Sequence, residues 1–225
     1  MSLWIKICGN TSLEDARLAV DAGADAVGFV FAPSPRQVTA QQVAGIAPHL
    51  PKAVEKIGVF VNAELDLIAD AVRACGLTGV QLHAEAGPDL PAKLRERFGA
   101  ELRILRVVHY GPDAAAQAAS ISLDPNVDAV LVDSRTATAV GGTGVVFNWS
   151  IAAKTLFQNA DVRQQLIAAG GLTPANVAEA IATMQPWGVD VVSGVECEPG
   201  RKDPVKVREF IARARGDERV GRTAV

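Results

Sequence analysis

The chain has only three cysteines among its 225 residues, Cys8, Cys75 and Cys197. An odd number without a CxxC pair makes neither a disulfide framework nor a zinc site, and it fits a reducing cytoplasm. No apolar run reaches the roughly 18 residues that a membrane span needs. The N-terminus enters a strand at once, with no basic region, apolar signal core or cleavage site, so neither insertion nor export is expected. Charge of one sign is not in excess either: 22 basic and 25 acidic residues give a formal net charge of -3. That balance leaves no electrostatic footprint for nucleic acid or an anionic membrane, and a small molecule becomes the expected partner. Glycine- or proline-rich linkers are missing as well. So is a dinucleotide fingerprint, because Cys8-Gly9-Asn10-Thr11 after the first strand lacks G-x-G-x-x-G.

What is present is apolar material, 49% of the residues against 21% charged, in short β-branched runs. They cover Leu3 to Cys8, Ala26 to Phe31, Lys56 to Val61, Gly79 to His83, Leu102 to Val108, Val127 to Val132, Leu166 to Ala169 and Val189 to Ser193. Nearly continuous runs of this length are the pattern of strands buried on both faces, as in a parallel sheet. Alanine-rich amphipathic segments lie between them. Ser12 with Asp15, and Thr39 with Gln42, have capping-box spacing or close to it, while Thr173-Pro174 and Asp203-Pro204 place a cap before a proline at a first helical position. A strand and a helix every 28 residues or so, repeated eight times, predicts a single-domain (β/α)8 barrel over residues 1–215. An open doubly wound sheet is the runner-up. Residues 216–225 are polar and are expected to fray.

Polar or glycine residues collect at the strand ends: Cys8, Arg36, His83, Arg106, Asp133, Gly170-Gly171 and Ser193-Gly194. A barrel gathers these ends onto one face. Alternation along the first strand points Lys6 and Cys8 the same way, with Cys8 at the rim and Lys6 one layer down. Three late glycine segments, Gly141-Gly142-Thr143-Gly144, Gly170-Gly171 and Ser193-Gly194, read as a phosphate cradle, since glycine lets backbone N–H groups approach an anion. Arg36 has the planar fork that suits a carboxylate, or is a solvated surface arginine. His83 shares a face with Gln81 and either orders a ligand or is structural. His49 and His109 have no constellation around them, and Cys75 and Cys197 read as buried small hydrophobes.

These residues resemble phosphoribosylanthranilate isomerases. The likeness runs through Lys6-Ile7-Cys8-Gly9, Ser34-Pro35-Arg36, Gly58-Val59-Phe60, Gln81-Leu82-His83, Val132-Asp133-Ser134, the Gly141 to Gly144 loop, Ala169-Gly170-Gly171-Leu172, Val189-Asp190-Val191, Ser193-Gly194-Val195-Glu196 and Lys202-Asp203. The resemblance implies a cofactor-free (β/α)8 isomerase, monomeric or homodimeric, that performs an Amadori rearrangement of a phosphorylated aminosugar. It implies Cys8 as general base, Asp133 as general acid and Arg36 as partner of the anthranilate carboxylate. His83, Gly142, Gly144, Gly170, Gly171, Asp190, Ser193 and Gly194 complete the expected substrate site, with no metal. The chemistry wants these types: ring opening needs an acid, which partial burial can keep protonated, and the Schiff base that follows needs a base at C2. A free thiol is mostly protonated at neutral pH, so Cys8 is either depressed by a neighbour such as Lys6 or reacts from a minority thiolate. Ala84, Val145, Asn148 and Val192 depart from the family pattern around the loops. Cys8 stands where the related histidine-pathway isomerases need an aspartate, and it also argues against a lyase with a carboxylate pair. A catalytically weak barrel that only binds a phosphorylated ligand is the remaining alternative.

Overall fold

The apolar runs become β1 (Trp4–Ile7), β2 (Ala26–Val30), β3 (Glu55–Phe60), β4 (Gly79–Leu82), β5 (Arg103–His109), β6 (Ala129–Asp133), β7 (Gln165–Ala169) and β8 (Gly188–Val191). In this computed structural model they pair in parallel and in chain order, and β8 returns to β1 to close a barrel. The structure describes residues 3–83, 87–134, 149–158 and 165–217. Closure decides between the two architectures expected from the sequence, in favour of the (β/α)8 barrel.

Parallel neighbours cannot be joined by a tight turn, so each connection carries a helix. The helices are α1 (Leu13–Asp21), α2 (Ala40–Ile46), α3 (Leu65–Cys75), α4 (Leu90–Phe98), α5 (Ala114–Ile121), α6 (Trp149–Ala152), α7 (Val177–Met184) and α8 (Pro204–Ala214). Ser12 Oγ accepts from Asp15 N at the start of α1, and Thr39 and Gln42 form a reciprocal capping box at the start of α2. Asp203 accepts from Val205 N and Lys206 N ahead of the first-turn Pro204. The cap expected at Thr173-Pro174 is not where α7 begins. Asn176 accepts from Thr173 N and donates to the carbonyl of Gly171, which holds that stretch as a turn and delays the helix to Val177.

Alternation along each strand sorts the core into two shells. Ile5, Ile7, Val27, Phe29, Phe60 and Val80 face the helices. Trp4, Ala26, Ile57, Leu105, Leu131 and Ile167 fill the barrel interior, where Trp4 stacks on Trp187 at 5.3 Å. Burying a side chain of this size contributes about 1.5–3 kcal/mol, so the lower barrel is a packed plug rather than a channel. Above that plug the interior turns polar, with Lys6, Gln81 and Asp190 all buried. One element has no counterpart in the expected eight units. After β8, the short antiparallel strands β9 (Glu196–Glu198) and β10 (Arg201–Lys202) form a hairpin that folds back over the end of β1. Among the described residues, no helix is long and apolar enough to cross a membrane.

Candidate active site

Lys6 and Asp190 face each other across the β1–β8 pairing, and Lys6 Nζ lies 2.8 Å from Asp190 Oδ1 and 2.7 Å from Gln81 Oε1. Burial works against the Lys6 ammonium, but Asp190 and then Cys8 outweigh it and its pKa stands above the ordinary lysine value. Cys8, immediately above, is buried at the top of β1, with its amide donating to the carbonyl of Val191 at 2.9 Å. Burial pushes the Cys8 thiol up, the Asp190 carboxylate adds to the rise, and the ammonium groups of Lys6 and Lys202 oppose it without cancelling it. Of the two alternatives left open by the sequence, this favours the minority thiolate over a depressed thiol: Lys6 is beside Cys8, but the cost of burying a thiolate exceeds what the lysine returns.

Arg36 follows β2 in a loop where its amide donates to Ser34 Oγ. Its guanidinium grips Glu196, with Nε 2.8 Å from Oε1 and Nη2 2.6 Å from Oε2. One edge of the fork, Nε with Nη2, is thus engaged within the protein. Glu196 also receives Lys202 Nζ at 3.1 Å, and the same ammonium donates to the carbonyl of Cys8 at 2.6 Å. Burial opposes the Glu196 carboxylate, yet the Arg36 hydrogen bond and the Lys202 charge hold its pKa below the usual range. Lys202 is itself lowered by burial, with Glu196 as its main compensation. Neither Glu196 nor Lys202 was assigned a role by sequence reasoning, although both stand in quoted motifs.

Asp133 ends β6 and aligns with His109 on β5 and Ala169 on β7. The next residue in space is Gly170, at φ +82°, and the volume its side chain would take is filled by Asp133 Oδ1 and Ser134 Oγ. Asp133, Gly170, Gly171, Asp190, Ser193 and Gly194 line one small cavity of about 20 Å³, so six residues expected at the site do meet. Ser193 and Gly194 belong to a single 3-10 turn after β8 rather than to the strand itself, and Gly194 packs against the carbonyl of Leu172. Gly142 and Gly144 lie outside the described residues, as do Ala84, Val145 and Asn148.

His83 follows β4, and its ring lies 5.7 Å from that of His109. His109 shows no constellation around it in the sequence; β5 runs one residue beyond the apolar run that ends at Val108 and brings this imidazole beside His83. Arg106, expected at that strand end, instead sits in mid-strand on the outward face with Ile104 and Val108. Cys75 is buried at the end of α3 as expected, whereas Cys197 on the hairpin is exposed, not a core cysteine. Among the described residues no group of His, Cys, Asp or Glu is arranged to hold a metal ion.

With this geometry in view, the family model of N-(5'-phosphoribosyl)anthranilate isomerase matches residues 5–213. The chain belongs to that family. The N-(5'-phosphoribosyl)anthranilate isomerase of Pelobacter propionicus is 47% identical over 208 residues, covering 92% of this chain and 93% of the relative. The phosphoribosylanthranilate isomerase of Thermotoga maritima superposes with a TM-score of 0.84 at 38% identity, over 95% of this chain and 99% of that one. Another solved isomerase, in complex with reduced 1-(o-carboxyphenylamino)-1-deoxyribulose 5-phosphate, has a TM-score of 0.79 at 35% identity over the same shares. The Thermotoga maritima protein also has a dimeric form. Membership makes this chain an isomerase of tryptophan biosynthesis, of the aldose–ketose type.

Proposed function

We propose that Cys8 and Asp133 carry the Amadori rearrangement of N-(5-phosphoribosyl)anthranilate to 1-(2-carboxyphenylamino)-1-deoxyribulose 5-phosphate. The observation behind this reading is that one barrel rim holds both groups, Asp133 at the end of β6 and Cys8 at the end of β1, with the β7 and β8 loops between them. Asp133 gives its proton to the furanose ring oxygen while the C1–O bond breaks toward that oxygen and the nitrogen lone pair closes a C1–N double bond. The cationic imine acidifies the proton on C2. Cys8 thiolate removes it, the freed electron pair forms a C1–C2 double bond as the C1–N π pair returns to nitrogen, and the resulting enolamine gains a proton at C1 and loses the proton of its C2 hydroxyl to give the aminoketose. Only protons and bonding pairs inside the substrate move, so the chemistry asks for no cofactor.

Binding divides by charge. The Arg36 guanidinium meets the anthranilate carboxylate, and the backbone of Gly170, Gly171, Ser193 and Gly194 meets the phosphate, with Gly142 and Gly144 expected to join them. Asp190 holds Lys6 in place and His83 faces the mouth beside His109.

The test generates phosphoribosylanthranilate in situ and follows the loss of its fluorescence. Cys8→Ser and Asp133→Asn should each slow turnover by roughly 10²- to 10⁴-fold, the usual contribution of a placed acid or base. Near-normal turnover in either folded variant removes that residue from the mechanism. Across pH, the raised Cys8 pKa places the rise in kcat/KM above the ordinary thiol range. A rise that is complete by pH 7 contradicts Cys8 as the titrating base.

A further inference from the structure

The Cys8 thiol occupies a space that belongs to a different residue. Gly28, in the middle of β2, faces the barrel interior beside β1, and a methyl group placed on its Cα would stand 3.0 Å from both Cys8 Cβ and Lys6 Cε. The same methyl group would overlap Cys8 Sγ outright. We propose that Gly28 is a positioning residue for the reaction: the volume of its missing side chain is the seat of the Cys8 thiol.

Neither backbone can retreat to make the space elsewhere. Asn10, fully buried, donates from both its amide and its Nδ2 to the carbonyl of Gly28, at 3.0 and 3.1 Å, and Nδ2 also reaches the carbonyl of Ile7 at 2.8 Å. That asparagine staples the turn after β1 to β2 at the level of the thiol. Cys8 is held by both of its own main-chain groups, the amide on Val191 and the carbonyl on Lys202 Nζ. The Lys6 stem, which shares the seat, is fixed at its tip by Gln81 and Asp190. Three elements therefore converge on a pocket one side chain wide, and glycine is the residue that leaves it open.

The seat also settles which charges the thiol meets. Lys6 flanks it from β1, Asp190 from β8 and Lys202 from β10, and beyond Lys202 stand Glu196 and then Arg36. A thiol driven out of the seat loses its place beside the Lys6 stem and swings toward the open mouth, away from the position that the C2 proton requires. Misplacing a reacting group by an ångström costs about 100-fold in rate, because the reacting atoms no longer meet in a productive geometry.

This inference rests on Cys8 being the base, and its test separates the two. Gly28→Ala should lower kcat by about 100-fold while KM changes by less than about threefold, since the anthranilate and phosphate contacts lie elsewhere. Stability is read independently of turnover in a double-mutant cycle with Cys8→Ala. Gly28→Ala should lower Tm by at least about 4 °C more in the chain that keeps Cys8 than in the Cys8→Ala chain, because only the former has a sulfur to displace. If Gly28→Ala fails to fold while the double variant folds, the thiol is likewise the obstacle. Equal losses of Tm in the two backgrounds, or failure of both to fold, overturn the seat. Unchanged turnover in a folded Gly28→Ala variant overturns its role in positioning. A Cys8→Ala chain that retains turnover, with the stability coupling intact, instead sinks Cys8 as base and leaves the seat standing.

Discussion

The two sides of the barrel mouth are built from opposite materials. On the β8–β1 side, buried ion pairs and charged hydrogen bonds cross-link Lys6, Asp190, Gln81, Lys202, Glu196 and Arg36 around the thiol. On the β6–β7 side, Asp133 stands beside Gly170 and Gly171, both at positive φ, and its Oδ1 occupies the volume that a side chain on Gly170 would take. The Cys8 thiol is surrounded by fixed charge. Glycine on the other side leaves its side-chain space to Asp133 and Ser134.

This contrast makes the largest mutational effect fall on the charged side. Lys6→Met leaves Asp190 buried without its cation, and breaking a buried pair in this way costs about 3–5 kcal/mol, measurable by urea unfolding. A loss below about 1 kcal/mol would mean that the buried charges do not organise this side. Glu196→Gln follows, with a loss of about 3 kcal/mol near neutrality, since Arg36 and Lys202 keep their charges and lose their shared acceptor. The sign with pH is fixed by the lowered Glu196 pKa. Its contribution is complete above the unfolded carboxylate value of about 4.3 and disappears as pH falls through the folded value. The gap between the parent chain and Glu196→Gln should therefore narrow in acid unfolding experiments below about pH 4, and a gap constant down to that pH would contradict it.

Smaller losses are expected where space, not charge, is at issue. Gly170→Ala places a side chain on Asp133 and Ser134 at a left-handed backbone position, at a cost of about 1–2 kcal/mol in stability, and turnover should fall further than stability because Asp133, the proposed acid, is moved. Thr39→Ala, far from either side, removes the α2 cap for about 1 kcal/mol and should leave turnover as it is. If the cap variant slowed turnover as much as Gly170→Ala, the distinction between a site glycine and a scaffold residue would vanish.

The repeating frame of this barrel is legible in the sequence because each strand and each cap is a local pattern. β5 shows where local pattern stops: an apolar run ends at Val108, but the hydrogen-bonded strand ends at His109, and the sequence gives no sign of that one residue. The hairpin β9–β10 is short, charged and centred on Pro199-Gly200, so no periodicity marks it. Cys8, Asp133 and the β7 and β8 glycines could be found because each ends a readable strand. Glu196 and Lys202 could not be given roles, since their partners Arg36 and Cys8 lie 160 and 194 residues away in the chain. Gly28 is silent for another reason: one glycine in a strand reads as a weak strand former until the neighbour that uses its space is known.

The hydrogen bond from Lys202 to the carbonyl of Cys8 spans 194 residues and ties the order of synthesis to competence. A ribosome adding about 5–20 residues per second emits the cysteine strand first and this lysine on the order of ten to forty seconds later. Throughout that interval the nascent chain carries Cys8 without the pairing to β8 or the hairpin that closes over it. A chain cut between Cys8 and Lys202 keeps the cysteine but not the lysine that pins its backbone.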